Sequence, residues 1–194
     1  MVITRIMPGA KKIVWPSFFN SVRNWVQTAF IIRPHFDREF SLQNFDRGAR
    51  QAFLSVSERL SEGDAESLKG LVTDEVQDGL KKAAATWTAE DRQKFKLDES
   101  DIYLSFIYQV GIIMPEKTSE QRWVEIMAVF HTLRGFRELQ KQNIDVQDLQ
   151  KNTDRFLFGN FRFSRNFSKG INLDESEWII NYINYFTPEN ESKI

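Results

Sequence analysis

The sequence predicts an α+β domain in which N-terminal helices pack on a curved, four-stranded antiparallel sheet, a cone-like roll with helices first and sheet last. Three observations lead there. Between Phe45 and Leu80, apolar residues recur at helical spacing. Beyond Leu97 the chain turns to blocks rich in β-branched and aromatic residues. In the third of these blocks the phenylalanines change phase at Gly159, as they would at a bulge that bends a strand.

The first 36 residues stand apart from the rest. They hold Arg5, Lys11, Lys12, Arg23 and Arg33 and no acid, whereas the whole chain balances 26 Lys+Arg against 27 Asp+Glu. Pro16 is placed to start a helix. On a 3.6-residue repeat Phe18, Val22, Trp25, Val26, Ala29 and Phe30 form one stripe, with Asn20, Arg23, Asn24, Gln27 and Thr28 opposite. Pro34 disfavours helical geometry at Arg33 and is expected to end the segment. The stretch is too interrupted by polar residues to span a bilayer. Three roles fit it: a helix packed on the domain, an interfacial helix on an anionic membrane, or a cleavable presequence. Lys11, Lys12, Trp15, Phe18, Arg23, Trp25 and Arg33 are the candidate membrane- or partner-binding residues.

Ser41 or Asn44 can cap the next helix, whose Phe45, Ala49, Phe53, Val56 and Leu60 line one face. Gly63 ends it, and Asp64 is expected to cap a second helix carrying Leu68, Leu71, Val72, Val76 and Leu80. Thr88 before Glu90-Asp91 suggests a short third helix. The strand blocks run from 101 to 114, 122 to 133, 155 to 167 and 177 to 186, and their order makes a meander the economical topology. The first two are apolar on both parities, so helices are expected to cover both faces of the central strands. A bulge at Gly159 would put Phe156, Phe158, Phe161, Phe163 and Phe167 on one face. The polar connector from 137 to 153 reads as an exposed excursion anchored by Leu139, Ile144, Val146 and Leu149. The organisation expected is an arm at 1–34, a single cone domain at 35–187 and a tail at 188–194.

Composition narrows the chemistry. With 194 residues, 41% hydrophobic and 27% charged, the chain can bury a core, and disorder throughout is excluded. Lacking cysteine, it has no disulfide framework or thiolate cage; two histidines, His35 and His131, make a zinc enzyme a poor fit. A net charge of -1 gives no overall footprint for nucleic acid. Glu125 and His131 share a strand parity but lie about 20 Å apart along it, beyond hydrogen-bond reach. An isomerase or dehydratase would need Asp101, Tyr103 and His131 to converge in a pocket. Arg155, Arg162 and Arg165 among aromatics imitate a single-strand nucleic-acid platform, but Arg162 falls opposite Phe161 and Phe163. Abundant core and sparse chemistry favour binding over reaction.

Several stretches resemble one family. Phe36-Asp37-Arg38-Glu39-Phe40-Ser41, the run from Phe45-Asp46-Arg47-Gly48-Ala49 to Gln51-Ala52-Phe53, Arg122-Trp123-Val124-Glu125-Ile126, Phe161-Arg162-Phe163 through Phe167 to Lys169-Gly170, and Trp178-Ile179-Ile180 look like the m-AAA protease-interacting proteins of mitochondria. That family is grouped with the matrix tether of the presequence translocase and a mitoribosomal large-subunit protein. The resemblance covers roughly residues 30 to 187, and its motifs are structural, so no catalytic residue carries over. It implies a cone like that of nuclear transport factor two, in the mitochondrial matrix and peripheral to the inner membrane. It also implies a non-enzymatic adaptor of the m-AAA protease that protects or sorts a newly imported inner-membrane subunit of the calcium uniporter. The absence of a long presequence suggests a trimmed form. Tethering of the mitochondrial ribosome, with the basic arm on rRNA, is the alternative within the binding class.

Overall fold

The computed structural model describes residues 12–114, 120–142, 153–173 and 175–187. Helices α1 (Phe18–Gln27), α2 (Arg33–His35), α3 (Leu42–Glu62), α4 (Asp74–Ala84) and α5 (Ala89–Gln93) precede the sheet, and α6 (Phe136–Lys141) follows its second strand. The strands β1 (Ile102–Ile113), β2 (Trp123–Leu133), β3 (Phe156–Asn166) and β4 (Ile179–Phe186) form an open antiparallel meander in the order 1-2-3-4. The expected α+β cone is the fold observed.

The spine of the core is α3. Ser41 accepts the Asn44 N–H at its start and Gly63, at φ 77°, closes it in the left-handed region that glycine occupies without strain. Its Phe45, Ala49, Phe53, Val56 and Leu60 are all buried. Phe53 stacks on Phe130 at 4.5 Å and meets Phe161 and Tyr185 edge-on or tilted, so one residue touches β2, β3 and β4. Ser57 Oγ and Tyr185 Oη lie 2.8 Å apart in the same contact, which satisfies a buried phenol. Burial pushes the Tyr185 hydroxyl well above its ordinary value.

Three expectations are corrected. First, the helix expected from Asp64 starts ten residues later, at Asp74. The residues between form a 3₁₀ turn, Glu66–Leu68, and lead to Val72, which bridges β4: the Thr73 N–H donates to Ile180 O and the Ile180 N–H to Leu71 O, both at 2.9 Å. Leu68, Val72, Val76 and Leu80 are buried all the same. Second, Pro34 does not end the arm helix. Thr28–Ile32 opens into a π-helical turn in which the Arg33 N–H bonds to Thr28 O, and α2 follows. The wider turn accommodates a ring that would crowd a regular one.

Third, β3 has no bulge at Gly159. The β2–β3 register runs unbroken from Trp123↔Asn166 to Leu133↔Phe156. Phe161 and Phe163 therefore face α3, and Phe158 faces away beside His131. Gly159 has another cause: a Cβ there would sit 2.6 Å from Phe53 Cε2, so the ring needs a bare backbone beneath it. The register shifts fall instead between Ile102 and Leu104, between Ile107 and Gln109, and where β3 meets β4 at Arg162/Phe163. The shifts in β1 turn its parity, which lets Ile102 and Val110 join the core cluster while Ile107, partly buried, packs against it.

The short α5 forms as expected. Thr88 and Asp91 make a reciprocal capping box, and the Asp91 carboxyl is held down at about 2 by hydrogen bonds from Lys94 and Thr88. Of the connector between β2 and β3, α6 is described and Leu139 is buried. Ile144, Val146 and Leu149 lie outside the described residues, as do Lys11 and the tail at 188–194.

Candidate functional site

The arm helix docks by the face that carries Asn24 and Thr28, not by its apolar stripe. Asn24, Thr28 and Ile32 are buried, one turn apart, against the sheet side. Asn24 supplies the grip: its Oδ1 accepts the Val110 N–H at 2.8 Å, and its Nδ2 lies 3.3 Å from the carbonyl oxygens of Ile107 and Tyr108. Tyr108 is the inserted residue of the β1 irregularity. A bulged edge strand exposes backbone groups that need polar partners, and an asparagine offers a donor and an acceptor together.

The consequence is an apolar ridge turned to solvent. Trp15 is 72% exposed, Phe18 77%, Phe19 84%, Trp25 61% and Phe30 64%. Val22, Val26 and Ile31 join them. Arg23 and Arg33 are exposed on the same arm, and Lys12, also exposed, lies 5.9 Å over the Phe186 ring. Of the sequence candidates, Trp15, Phe18, Arg23, Trp25 and Arg33 thus lie exposed along one segment. Contiguous exposed aromatics of this kind mark interaction surfaces. No helix among the described residues is long and apolar enough to cross a membrane.

Before α1, residues 12–15 cross the second sheet face. In the amide orientation that satisfies both groups, Asn160 donates to Ile13 O at 3.0 Å and accepts the Ile13 N–H at 2.9 Å. Trp15 meets His131 edge-on at 5.9 Å. Helices were expected to cover this face; an extended strap contributes part of the cover instead. Nothing in sequence spacing links Ile13 to Asn160, so this contact was not legible there.

The enzyme constellation does not assemble. Tyr103 Oη comes within 3.4 Å of His131 Nδ1, but Asp101 is spent elsewhere: its Oδ1 accepts the Gly135 N–H and its Oδ2 the Asp98 N–H. Burial lowers the His131 pKa, with a Val14 backbone bond opposing, and raises Tyr103 to about 12. A groove of about 380 Å³ lies elsewhere, between Phe40, Phe45, Ala49, Phe163 and Trp178, with Asp37 and Arg165 also in its lining. Among the described residues no three His, Asp or Glu side chains gather as metal ligands.

Arg162 and Arg165 are engaged within the fold. Arg165 donates to the carbonyls of Leu173 and Ser176 at 2.7 Å and pairs with Asp37. Arg162 donates to Asn181 and lies 5.7 Å over Tyr182. Glu125 accepts from Asn181 at 2.6 Å and pairs with Arg162 at 3.5 Å.

A curved open antiparallel sheet packed on a core helix, with an apolar helix turned outward, defines a domain of the α+β cone class. No family model matches the chain. It is 30% identical to m-AAA protease-interacting protein 1, mitochondrial, of Rattus norvegicus over 169 residues, covering 80% of this chain and 56% of the relative. The Homo sapiens protein of that name is 29% identical over 180 residues, covering 84% and 58%, and the Bos taurus protein 28% over 176 residues, with the same coverage. At 28–30% identity over about four-fifths of its length the chain resembles the m-AAA protease-interacting proteins, and it spans a little over half the length of the curated relatives it matches.

Proposed function

We propose that this chain is a non-enzymatic adaptor of the mitochondrial matrix, peripheral to the inner membrane, that binds the m-AAA protease and protects or sorts newly imported inner-membrane subunits. The small subunit of the calcium uniporter is the client that the family resemblance suggests. One observation carries the reading: α1 is anchored through Asn24 so that Phe18, Phe19, Trp25 and Phe30 face outward, beside Arg23 and Arg33. Aromatics at the headgroup boundary with flanking bases suit an anionic surface, each base contributing about 1 kcal/mol close to it. The same ridge suits a hydrophobic partner helix at that surface. The names of the relatives support the protease as partner.

A crosslinked pull-down of the tagged full chain from mitochondria, compared with an Arg23→Glu, Trp25→Ser variant, tests this. Recovery of m-AAA protease subunits and inner-membrane clients, reduced in the variant, is the expected outcome. Recovery chiefly of large-subunit ribosomal proteins would move the function to ribosome tethering.

A further inference from the structure

The second face of the sheet carries a row of groups that suits a polypeptide backbone. Val129, Asn160 and Asn184 lie opposite one another across β2, β3 and β4, and His131, Phe158 and Phe186 form the next row. Both rows point away from α3, since their neighbours Phe130, Phe161 and Tyr185 pack on Phe53. Residues 12–15 cross these strands. Lys12 lies over Phe186 on β4, Ile13 is held by Asn160 on β3, and Trp15 stands on His131 on β2.

Asn160 reads Ile13 through its backbone alone, one N–H and one C=O, which any residue but proline offers. Its neighbour Asn184 is fully buried, yet neither its Oδ1 nor its Nδ2 has a partner among the described residues. Buried amides without partners are rare because each costs stability. Here the unpaired amide sits beside one that already grips a backbone, on the same face.

We infer that this face is a binding groove for an extended polypeptide with a basic residue three places before an aromatic one, and that residues 12–15 occupy it in cis. Asn160 and Asn184 are its two backbone-reading positions. A segment supplied by a partner displaces the strap, laying its cation over Phe186 and its aromatic ring on His131, and a second peptide unit satisfies Asn184. The inference goes beyond the proposed adaptor role. It is tested on purified protein without protease or membrane, so its failure leaves that role standing.

The probe is a fluorescein-labelled peptide with the sequence of residues 8–17, followed by fluorescence anisotropy. The receptor is the full chain carrying Ile13→Pro and Trp15→Ala, which remove the N–H that Asn160 accepts and the ring on His131. Trp15→Ala alone, a change at an exposed side chain, provides a second, milder released form. A tethered strap acts at an effective concentration near millimolar, so the released chains should bind the peptide at least about tenfold more tightly than the unaltered chain. Asn184→Leu in either released chain should weaken binding about tenfold while the melting temperature holds or rises, because an unpaired buried amide has been removed. A peptide with acid and serine in place of the Lys12 and Trp15 equivalents should bind no released form. Equal, absent or Asn184-independent binding would make residues 12–15 a fixed part of the fold and overturn the inference.

Discussion

Asn24 Oδ1 accepts the Val110 backbone N–H at 2.8 Å, and the side chain that makes this bond determines which way α1 faces. With Asn24 against the irregular stretch of β1, rotation of the helix to bury Trp25 and Phe18 would leave the Val110 N–H and the Ile107 and Tyr108 carbonyls without their partner. A buried group stranded in this way costs about 1–3 kcal/mol. Asn24→Ala should therefore release the arm. Hydrogen exchange over residues 18–35 is expected to rise sharply while α3 and the central strands keep their protection.

Gly159 and Gly48 make an opposed pair. A methyl at Gly159 would meet the Phe53 ring, which is wedged among Phe130, Phe161 and Tyr185. Gly159→Ala should destabilise the chain by about 1–3 kcal/mol, as overpacking does. Gly48 lies inside α3 with nothing within 4 Å of the position its Cβ would take. Gly48→Ala should stabilise by roughly 0.5–1 kcal/mol. Urea unfolding of the two variants checks both signs.

The Ser57–Tyr185 contact joins α3 to β4 in a fully buried place. Tyr185→Phe strands the Ser57 hydroxyl and should cost about 1–2 kcal/mol. Adding Ser57→Ala removes the stranded group, so the double variant should lose less than the sum of the single losses. Additive losses would show that the hydroxyls do not interact.

Acid should weaken the fold through His131. Its buried imidazole is pushed below the ordinary value of 6.5, chiefly by desolvation. The unfolded chain therefore takes up the proton first, so stability is full above about pH 6.5 and declines as pH falls below it. His131→Phe should flatten that decline between pH 6.5 and 5, measured as the denaturant midpoint at each pH.

The core was readable from the sequence because its signals are local. The Phe45–Leu60 stripe, the Ser41 cap and the Thr88 box each depend on neighbours within a turn, and the strand blocks announce themselves by composition. The glycine at 159 was a real signal with a distant cause, the Phe53 ring, whereas the phase change reflects phenylalanines on both faces of an unbroken strand. For the arm the sequence left a packed and an outward-facing stripe both open, and the requirement that decides between them lies in the backbone of β1, far along the chain. The Asn160 grip on Ile13 is equally non-local. The orientation of the arm's candidate residues belongs to tertiary structure.

The absence of cysteine from the chain makes the central claim directly measurable. Single cysteines placed at Trp25 and Thr28 in the full chain would be timed against a maleimide label, first alone and then with mitochondrial inner membranes. The outward ridge predicts fast labelling at Trp25→Cys and slow labelling at Thr28→Cys in solution, with Trp25→Cys becoming protected once membranes are added. A protected Trp25→Cys beside a reactive Thr28→Cys in solution, or a Trp25→Cys indifferent to membranes, would contradict the account.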